Sequence, residues 1–275
     1  MADHSFASRQ TDRSVSTSRV GILAYGIGSY LLGFAALVAV ILVSLGAYAF
    51  TGGPVHIANP VVAALFNVGL LVLFGVQHSV MARAAFKERW TRIIDPSMER
   101  STFVLATGAV LLPLVALWQP LPAVVWSLGS PFARETLTGI ALLGWAYLFF
   151  ATFAINHFEL FGLQQSWRGF RDRPPVPLPF RERWMYRFDR HPLMTGVLVG
   201  LWATPEMTLG RLLFAAGLSA YVVVGVHFEE RALLRQWGEA YESYRRRVPS
   251  LVPTVQSMDS KGQGDVATKR KQEVA

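Results

Sequence analysis

The chain has 275 residues, of which 52% are hydrophobic and 16% charged, and it contains no cysteine. No Asp, Glu, Lys or Arg occurs between Val20 and Ala82, a run of 63 residues that is far longer than the roughly 20 apolar residues needed to cross a bilayer once; a soluble enzyme is excluded, because such a stretch would leave it almost without polar surface. The missing cysteines exclude disulfides, Cys-ligated zinc and a cysteine nucleophile, and the net charge of +8 has either a nucleic-acid partner or membrane topology as its cause.

Residues 1–19 are polar, Ser-rich and carry scattered Arg, and the apolar run behind them lacks the short core and cleavage site of a signal peptide, which predicts a cytoplasmic tail followed by an uncleaved first span. Charge-free windows then predict membrane segments over 20–50, 60–82, 101–118, 136–158, 191–205 and 212–228. Thr51-Gly52-Gly53-Pro54 separates the first two, Asp95-Pro96-Ser97 precedes the third, and Pro120, Pro122 and Pro131 follow it, since proline cannot continue a helical ladder. Pro113 kinks the third segment, as a membrane helix tolerates. The fifth window would rise only about 22 Å as a helix, against a ~30 Å hydrocarbon core. It is therefore expected to be tilted and extended backward through Trp184 to Asp189, or to form half of a re-entrant hairpin.

Beyond the sixth window, Leu233, Leu234, Trp237, Tyr241 and Tyr244 recur at three- and four-residue intervals with charges between them. This predicts an amphipathic surface helix over 229–247 that lies along the cytoplasmic interface, where Tyr and Trp anchor well. Residues 256–275 are rich in Lys, Gly, Gln and Asp without aromatics and predict a disordered tail. The expected fold is an all-α integral membrane protein. Residues 20–255 form a bundle of five to six transmembrane helices with a C-terminal helical hairpin and a cytoplasmic amphipathic helix.

The basic residues orient this bundle. Of 26 Lys and Arg, only Arg134 and Arg211 fall in the loops 51–59, 119–135 and 204–211. The other 24 lie in the tails and in the 83–100 and 168–190 loops, which the positive-inside rule places in the cytoplasm together with both termini. Glu135 and Glu206 balance the two outer Arg, so the whole +8 is cytoplasmic. Charge thus reads as topology in a bacterial-type inner membrane. No basic run is interleaved with stacking aromatics, so no nucleic-acid partner is expected; the partner is the lipid bilayer, and the oligomeric state is not legible.

Ionisable side chains in membrane segments are costly and mark functional candidates. Gln77-His78-Ser79 ends the second window, Asn156-His157-Phe158-Glu159 the fourth, Arg190-His191-Pro192 opens the fifth and His227-Phe228-Glu229-Glu230 closes the sixth. Each alone reads as an interfacial polar residue at a helix end. Together they place histidine, amide and carboxylate groups from four segments at one cytoplasmic depth, as a site fed from both cytosol and lipid requires. His78, His157 and Glu159 could also hold a metal, but no His-x-x-x-His or His-Glu-x-x-His spacing supports one, so no metal is predicted. Paired histidines on facing helices leave axial haem ligation as an alternative to catalysis.

The last ninety residues carry an ordered set: Tyr186, Arg190-His191-Pro192, Gly196, Glu229-Glu230-x-x-Leu233, Gly238, Tyr241, Tyr244 and Val248-Pro249-x-Leu251-x-Pro253. This set resembles the C-terminal half of the isoprenylcysteine carboxyl methyltransferase superfamily, membrane enzymes that use S-adenosylmethionine. The resemblance implies Tyr186, His191, Pro192, Leu193, Met194, Glu229 and Glu230 as cofactor contacts. Two departures stand out: the family usually has Tyr where this chain has Met194, and Phe180-Arg181-Glu182-Arg183-Trp184 replaces a Leu-Val-Thr-x-Gly-like stretch.

The front half, through Gln77-His78-Ser79-x-Met81-Ala82-Arg83, Glu99-Arg100-Ser101-Thr102 and Asn156-His157-Phe158-Glu159-Leu160-Phe161-Gly162, resembles a narrower branch that includes methanethiol S-methyltransferases and NnrU-like membrane proteins. That branch implies methylation of a small volatile thiol, methanethiol, to dimethyl sulfide. Carboxyl methylation of the isoprenylcysteine type and an NnrU-like haem or electron-transfer role are the alternatives. For methyl transfer, His157 or His78 is the expected base, because histidine titrates near neutral pH. Glu159 would orient or assist it, and Gln77 and Asn156 would position the thiol.

Overall fold

Long apolar stretches bounded by proline, glycine or charge become the long helices of the computed structural model, which describes residues 18–47, 49–174, 182 and 184–251. The N-terminal tail up to residue 17 and the expected disordered tail 256–275 lie outside the described residues. In chain order the helices are α1 (Arg19–Ser44), α2 (Pro60–Ala82), α3 (Ala84–Trp90), α4 (Glu99–Ala116), α5 (Pro131–Ile155), α6 (His157–Leu160), α7 (Leu163–Phe170), α8 (Pro192–Trp202), α9 (Leu209–Trp237) and α10 (Glu239–Arg247), with short strands β1 (Val124–Ser127) and β2 (Glu206–Thr208). Among the described residues, five helices are long and apolar enough to cross a membrane: α1, α2, α4 with the 3-10 turn Pro96–Met98 before it, α5 and α9. The protein is an all-α integral membrane protein.

The chain divides into two compact units. Of the described residues, the first comprises 18–39, 72–116 and 158–174; the second comprises 40–47, 49–71, 117–157, 182 and 184–251. In the first unit, α1 lies close enough to α4 that a Cβ on Gly33 would collide with Val104, and Tyr25 donates to Thr102 Oγ1 at 2.9 Å. Gly162, with φ of +81°, turns the chain between α6 and α7. Its carbonyl accepts from the buried Ser101, which also meets Ser166 at 2.9 Å.

In the second unit, α5 and α8 pack through glycines. A Cβ on Gly196 would sit 2.6 Å from the Gly144 carbonyl oxygen and 2.7 Å from Leu148 N, and one on Gly144 would meet Gly200 N at 2.9 Å. The pairing of 144 with 200 and of 148 with 196 defines an antiparallel register that carries Thr152 toward Pro192. β1 pairs antiparallel with β2, Val124 opposite Thr208 and Ser127 opposite Glu206, which joins the loop before α5 to the loop after α8. A buried amide clamp holds the neighbouring loop: Asn67 and Gln119 exchange hydrogen bonds of 2.9 and 2.8 Å, and the Gln119 side chain donates to Val55 O and accepts from Ile57 N.

Several boundaries differ from expectation. The fifth segment is helical only over α8, a rise of about 16 Å; it is preceded not by a continuous backward extension but by a separate 3-10 turn, Trp184–Arg187. The fourth ends at Ile155, because Asn156 is extended and the chain turns there. The sixth does not stop at Phe228, since charge ends an apolar window but not a helix. Glu, Arg, Ala and Leu are good helix formers, and α9 continues until Gly238 adopts φ +50°, ψ −125°, a conformation open only to glycine. The single surface helix expected over 229–247 is therefore the end of α9 plus α10. Tyr241 and Tyr244 are not membrane anchors: they are buried with Val248 against Leu233, Leu234 and Trp237.

The glycine seam gives a direct test. Gly196→Leu should lower the melting temperature of detergent-solubilised protein by the equivalent of about 1–3 kcal/mol, as overpacking does. Gly139→Ala on α5, where a Cβ meets nothing within 4 Å, should leave it unchanged or raise it; equal behaviour of the two variants would contradict the seam.

Candidate functional site

The turn that leads into α8 is densely bonded. Asp189 is fully buried; its Oδ1 accepts from His191 N at 2.8 Å and its carboxyl bonds Thr195, so one side chain holds the turn to the first turn of α8. Pro192 starts that helix where a missing N–H costs nothing. The Oδ2 of Asp189 is sealed from solvent and has no hydrogen-bond partner among the described residues, and burial raises the pKa of the carboxyl above its ordinary value.

The next two residues engage α9. Glu230 Oε1 lies 2.9 Å from Arg190 Nη2, 3.2 Å from His191 Nε2 and 3.1 Å from Ser250 Oγ. Among the described residues its neighbour Glu229 shows one such approach, His191 Nδ1 at 3.6 Å, and its side chain is 51% exposed against 16% for Glu230. Burial disfavours a charged His191, but the two carboxylates outweigh it and raise the pKa above 6.5. The C-terminal segment closes over the same turn. Arg190 N donates to Pro249 O at 2.9 Å, Arg190 Nη1 to Arg245 O at 3.2 Å, and the Tyr244 hydroxyl to Tyr186 O at 2.6 Å. Burial and the nearby Glu229 carboxylate raise the Tyr186 pKa, which keeps the phenol neutral.

The structure thus gathers Tyr186, His191, Pro192, Glu229 and Glu230 in one cluster, with Leu193 and Met194 half-buried on the first turn of α8. The same unit holds His157 and Asn156 just past the end of α5. His157 is buried, its Nδ1 is 2.7 Å from Thr152 Oγ1, and its ring stacks on Phe153 at 4.5 Å. Burial holds its pKa below the ordinary value.

The first unit holds the other candidates. His78 Nδ1 meets Thr107 Oγ1 at 3.1 Å, and its ring centroid lies 4.7 Å from that of Phe103, whose ring also receives the Arg100 guanidinium at 4.8 Å. Gln77 donates to Met81 Sδ at 3.1 Å, while Glu159 accepts from Gln165 at 3.3 Å. His227 lies on the exposed face of α9 with Val223, Val224 and Phe228. Among the described residues no group of three or more His, Cys, Asp or Glu is arranged to hold a metal ion.

Sequence reasoning missed Asp189, Thr152 and Ser250 as parts of these clusters and marked Arg190 without giving it a role. Asp189 did carry a signal, an acidic residue just ahead of a proline that opens a helix. Thr152 did not, because the five-residue step to His157 crosses the end of α5 and fits no helical period.

The His191 arrangement has a pH signature. A folded pKa raised above 6.5 means that the charged ring contributes stability that is fully present below about pH 6.5 and is lost as pH rises through the folded value. Thermal melts of wild type and His191→Asn should therefore differ most in mildly acidic buffer and converge at alkaline pH. A gap that widens as pH rises would contradict the pairing with Glu229 and Glu230.

No family model and no solved structure matches the chain. Curated relatives do. A protein of Mycobacterium tuberculosis named methanethiol S-methyltransferase is 45% identical over 240 residues, covering 84% of this chain and 95% of the relative. Methanethiol S-methyltransferase 2 of Bradyrhizobium diazoefficiens is 43% identical over 244 residues, 86% of this chain and 91% of that one. More distant is Nurim of Bos taurus, 28% identical over 219 residues, 73% and 81% of the respective chains. Identity at this level over nearly the full length of both partners leaves one assignment: the chain belongs to the methanethiol S-methyltransferase family.

Proposed function

We propose that the chain transfers a methyl group from S-adenosylmethionine to methanethiol, giving dimethyl sulfide, in a bacterial-type inner membrane with both termini and the cofactor side in the cytoplasm. The observation that carries this reading is the 45% identity to a protein named methanethiol S-methyltransferase, extending over 84% of this chain. The residues around His191 fit such a donor. The half-exposed Glu229 carboxylate has acceptor capacity for the hydroxyl or amino groups of a nucleoside or amino acid. Asp189 adds a buried oxygen without a partner among the described residues, and Tyr186, Pro192, Leu193 and Met194 supply aromatic and apolar surface. Glu230, whose Oε1 accepts from Arg190, His191 and Ser250, also holds Arg190 and His191 in place beside the donor.

S-adenosylmethionine, when bound, supplies an electrophilic methyl group on a positively charged sulfur. The protein's task is then to align the acceptor sulfur, strip water from it and remove its proton. His157 is suited to the last task, since burial keeps it neutral at physiological pH and thus able to accept. His78 is the alternative base, Glu159 orients or assists, and Gln77 and Asn156 position the thiol. A thiolate that meets a sulfonium in a low-dielectric site loses separated charge as it reacts, which favours the transfer where water is excluded.

Purified protein given S-adenosylmethionine and methanethiol should release dimethyl sulfide into the headspace, and absence of product from protein that binds the donor would overturn the choice of acceptor. His157→Ala should lower kcat by about 10²–10⁴, the usual contribution of a general base, with donor affinity little changed. Glu229→Ala should instead weaken donor binding about 10–100-fold, as loss of a hydrogen bond to a charged group does. Calorimetry paired with rates separates the two, and equal loss of binding in both variants would contradict this division.

A further inference from the structure

The last turn of α5 contains a hydrogen-bond chain that assigns a proton. Thr152 Oγ1 donates to the Phe149 carbonyl oxygen at 2.6 Å. A carbonyl can only accept and a hydroxyl has a single proton, so that proton is committed. The same Oγ1 lies 2.7 Å from His157 Nδ1 and has only lone pairs left to offer it. That arrangement calls for hydrogen on Nδ1, which places the lone pair of the neutral ring on Nε2.

The ring is also held in place. It stacks on Phe153 with planes 6° apart, and the Phe149 ring meets it edge-on at 5.9 Å. Thr152 and His157 are both buried, so water does not compete for the bond between them. The contact of His78 with Thr107 is longer, at 3.1 Å, and by itself assigns no proton.

We propose that Thr152 is a positioning residue for methyl transfer, which fixes His157 in the Nδ1–H tautomer and makes Nε2 the atom that takes the proton of the thiol substrate. This rests on the reading of methanethiol as the acceptor. In the step, the S–H bond breaks, its proton passes to Nε2, and the electron pair left on sulfur forms the new bond to the methyl carbon. The pair of the broken donor C–S bond stays with the donor sulfur. One positive charge disappears from that sulfur and one appears on the imidazole, so net charge is conserved.

The test uses the full chain in lipid nanodiscs with ¹⁵N-labelled histidine, comparing wild type, Thr152→Val and Thr152→Ser, with His157→Asn to identify the resonances. Wild type and Thr152→Ser should show neutral His157 protonated on Nδ1. Thr152→Val, which keeps the volume but removes the acceptor, should show a tautomer mixture and a kcat lower by about tenfold or more, within the range that a general base contributes. Donor affinity should match wild type in both variants. A wild-type ring protonated on Nε2, an undiminished kcat in Thr152→Val, or a Thr152→Ser enzyme as slow as the Val variant would each overturn the proposal. Failure of wild type to make dimethyl sulfide would sink the functional reading instead, and the nitrogen resonances would still decide whether Thr152 sets the tautomer.

Discussion

A single carboxylate oxygen, Glu230 Oε1, joins three stretches of chain that are distant in sequence. It accepts from Arg190 and His191 in the turn before α8 and from Ser250 beyond α10, while itself standing on α9. Buried charge of this kind is tolerable only when paired and hydrogen-bonded, and removal of one partner leaves the others uncompensated. The bonds of Arg190 to Pro249 O and Arg245 O, and of Tyr244 to Tyr186 O, depend on the same closure. Asp189 supports it from below by fixing His191 N. The adjacent Glu229 is thereby presented with its side chain half exposed, beside a histidine whose charge is favoured.

The packing of the second unit explains why this turn can be so polar next to an apolar bundle. α8 is too short to cross a bilayer, and its first turn abuts the last part of α5 through the Gly144, Leu148, Gly196 and Gly200 seam. That register carries the end of α5, with Thr152, toward the beginning of α8, so the His157 turn and the His191 turn occur at the same end of one helix pair. The opposite end is closed by the β1/β2 ribbon and by the buried Asn67 and Gln119 amides.

The membrane helices were legible from their apolar windows, and Pro60 opens α2 where its window begins, whereas α5 starts at Pro131, ahead of its window. Charge was a poorer guide than backbone chemistry. Glu229 closes a hydropathy window, yet α9 runs on to Gly238 because no residue between them resists a helix. The spacing of Tyr241 and Tyr244 correctly marked an amphipathic helix but not its partner, since tyrosine suits a membrane interface and a protein core equally. Of the site, His157, His191, Glu229 and Glu230 stood out as polar residues beside apolar windows. Their bonding did not, because donors to Glu230 Oε1 come from as far as 40 residues before it and 20 after it, and the bond between Thr152 and His157 crosses a helix end.

Glu230 Oε1 holds the turn before α8, on which the proposed donor site depends. The direct measurement is calorimetric titration of S-adenosylmethionine into wild type and Glu230→Gln in nanodiscs, each first shown to be folded by its melting curve. Weakening of about tenfold or more is expected for the folded variant, on the scale of a lost charge-assisted hydrogen bond. Binding as tight as wild type, in a variant that melts as a folded protein, would contradict the account.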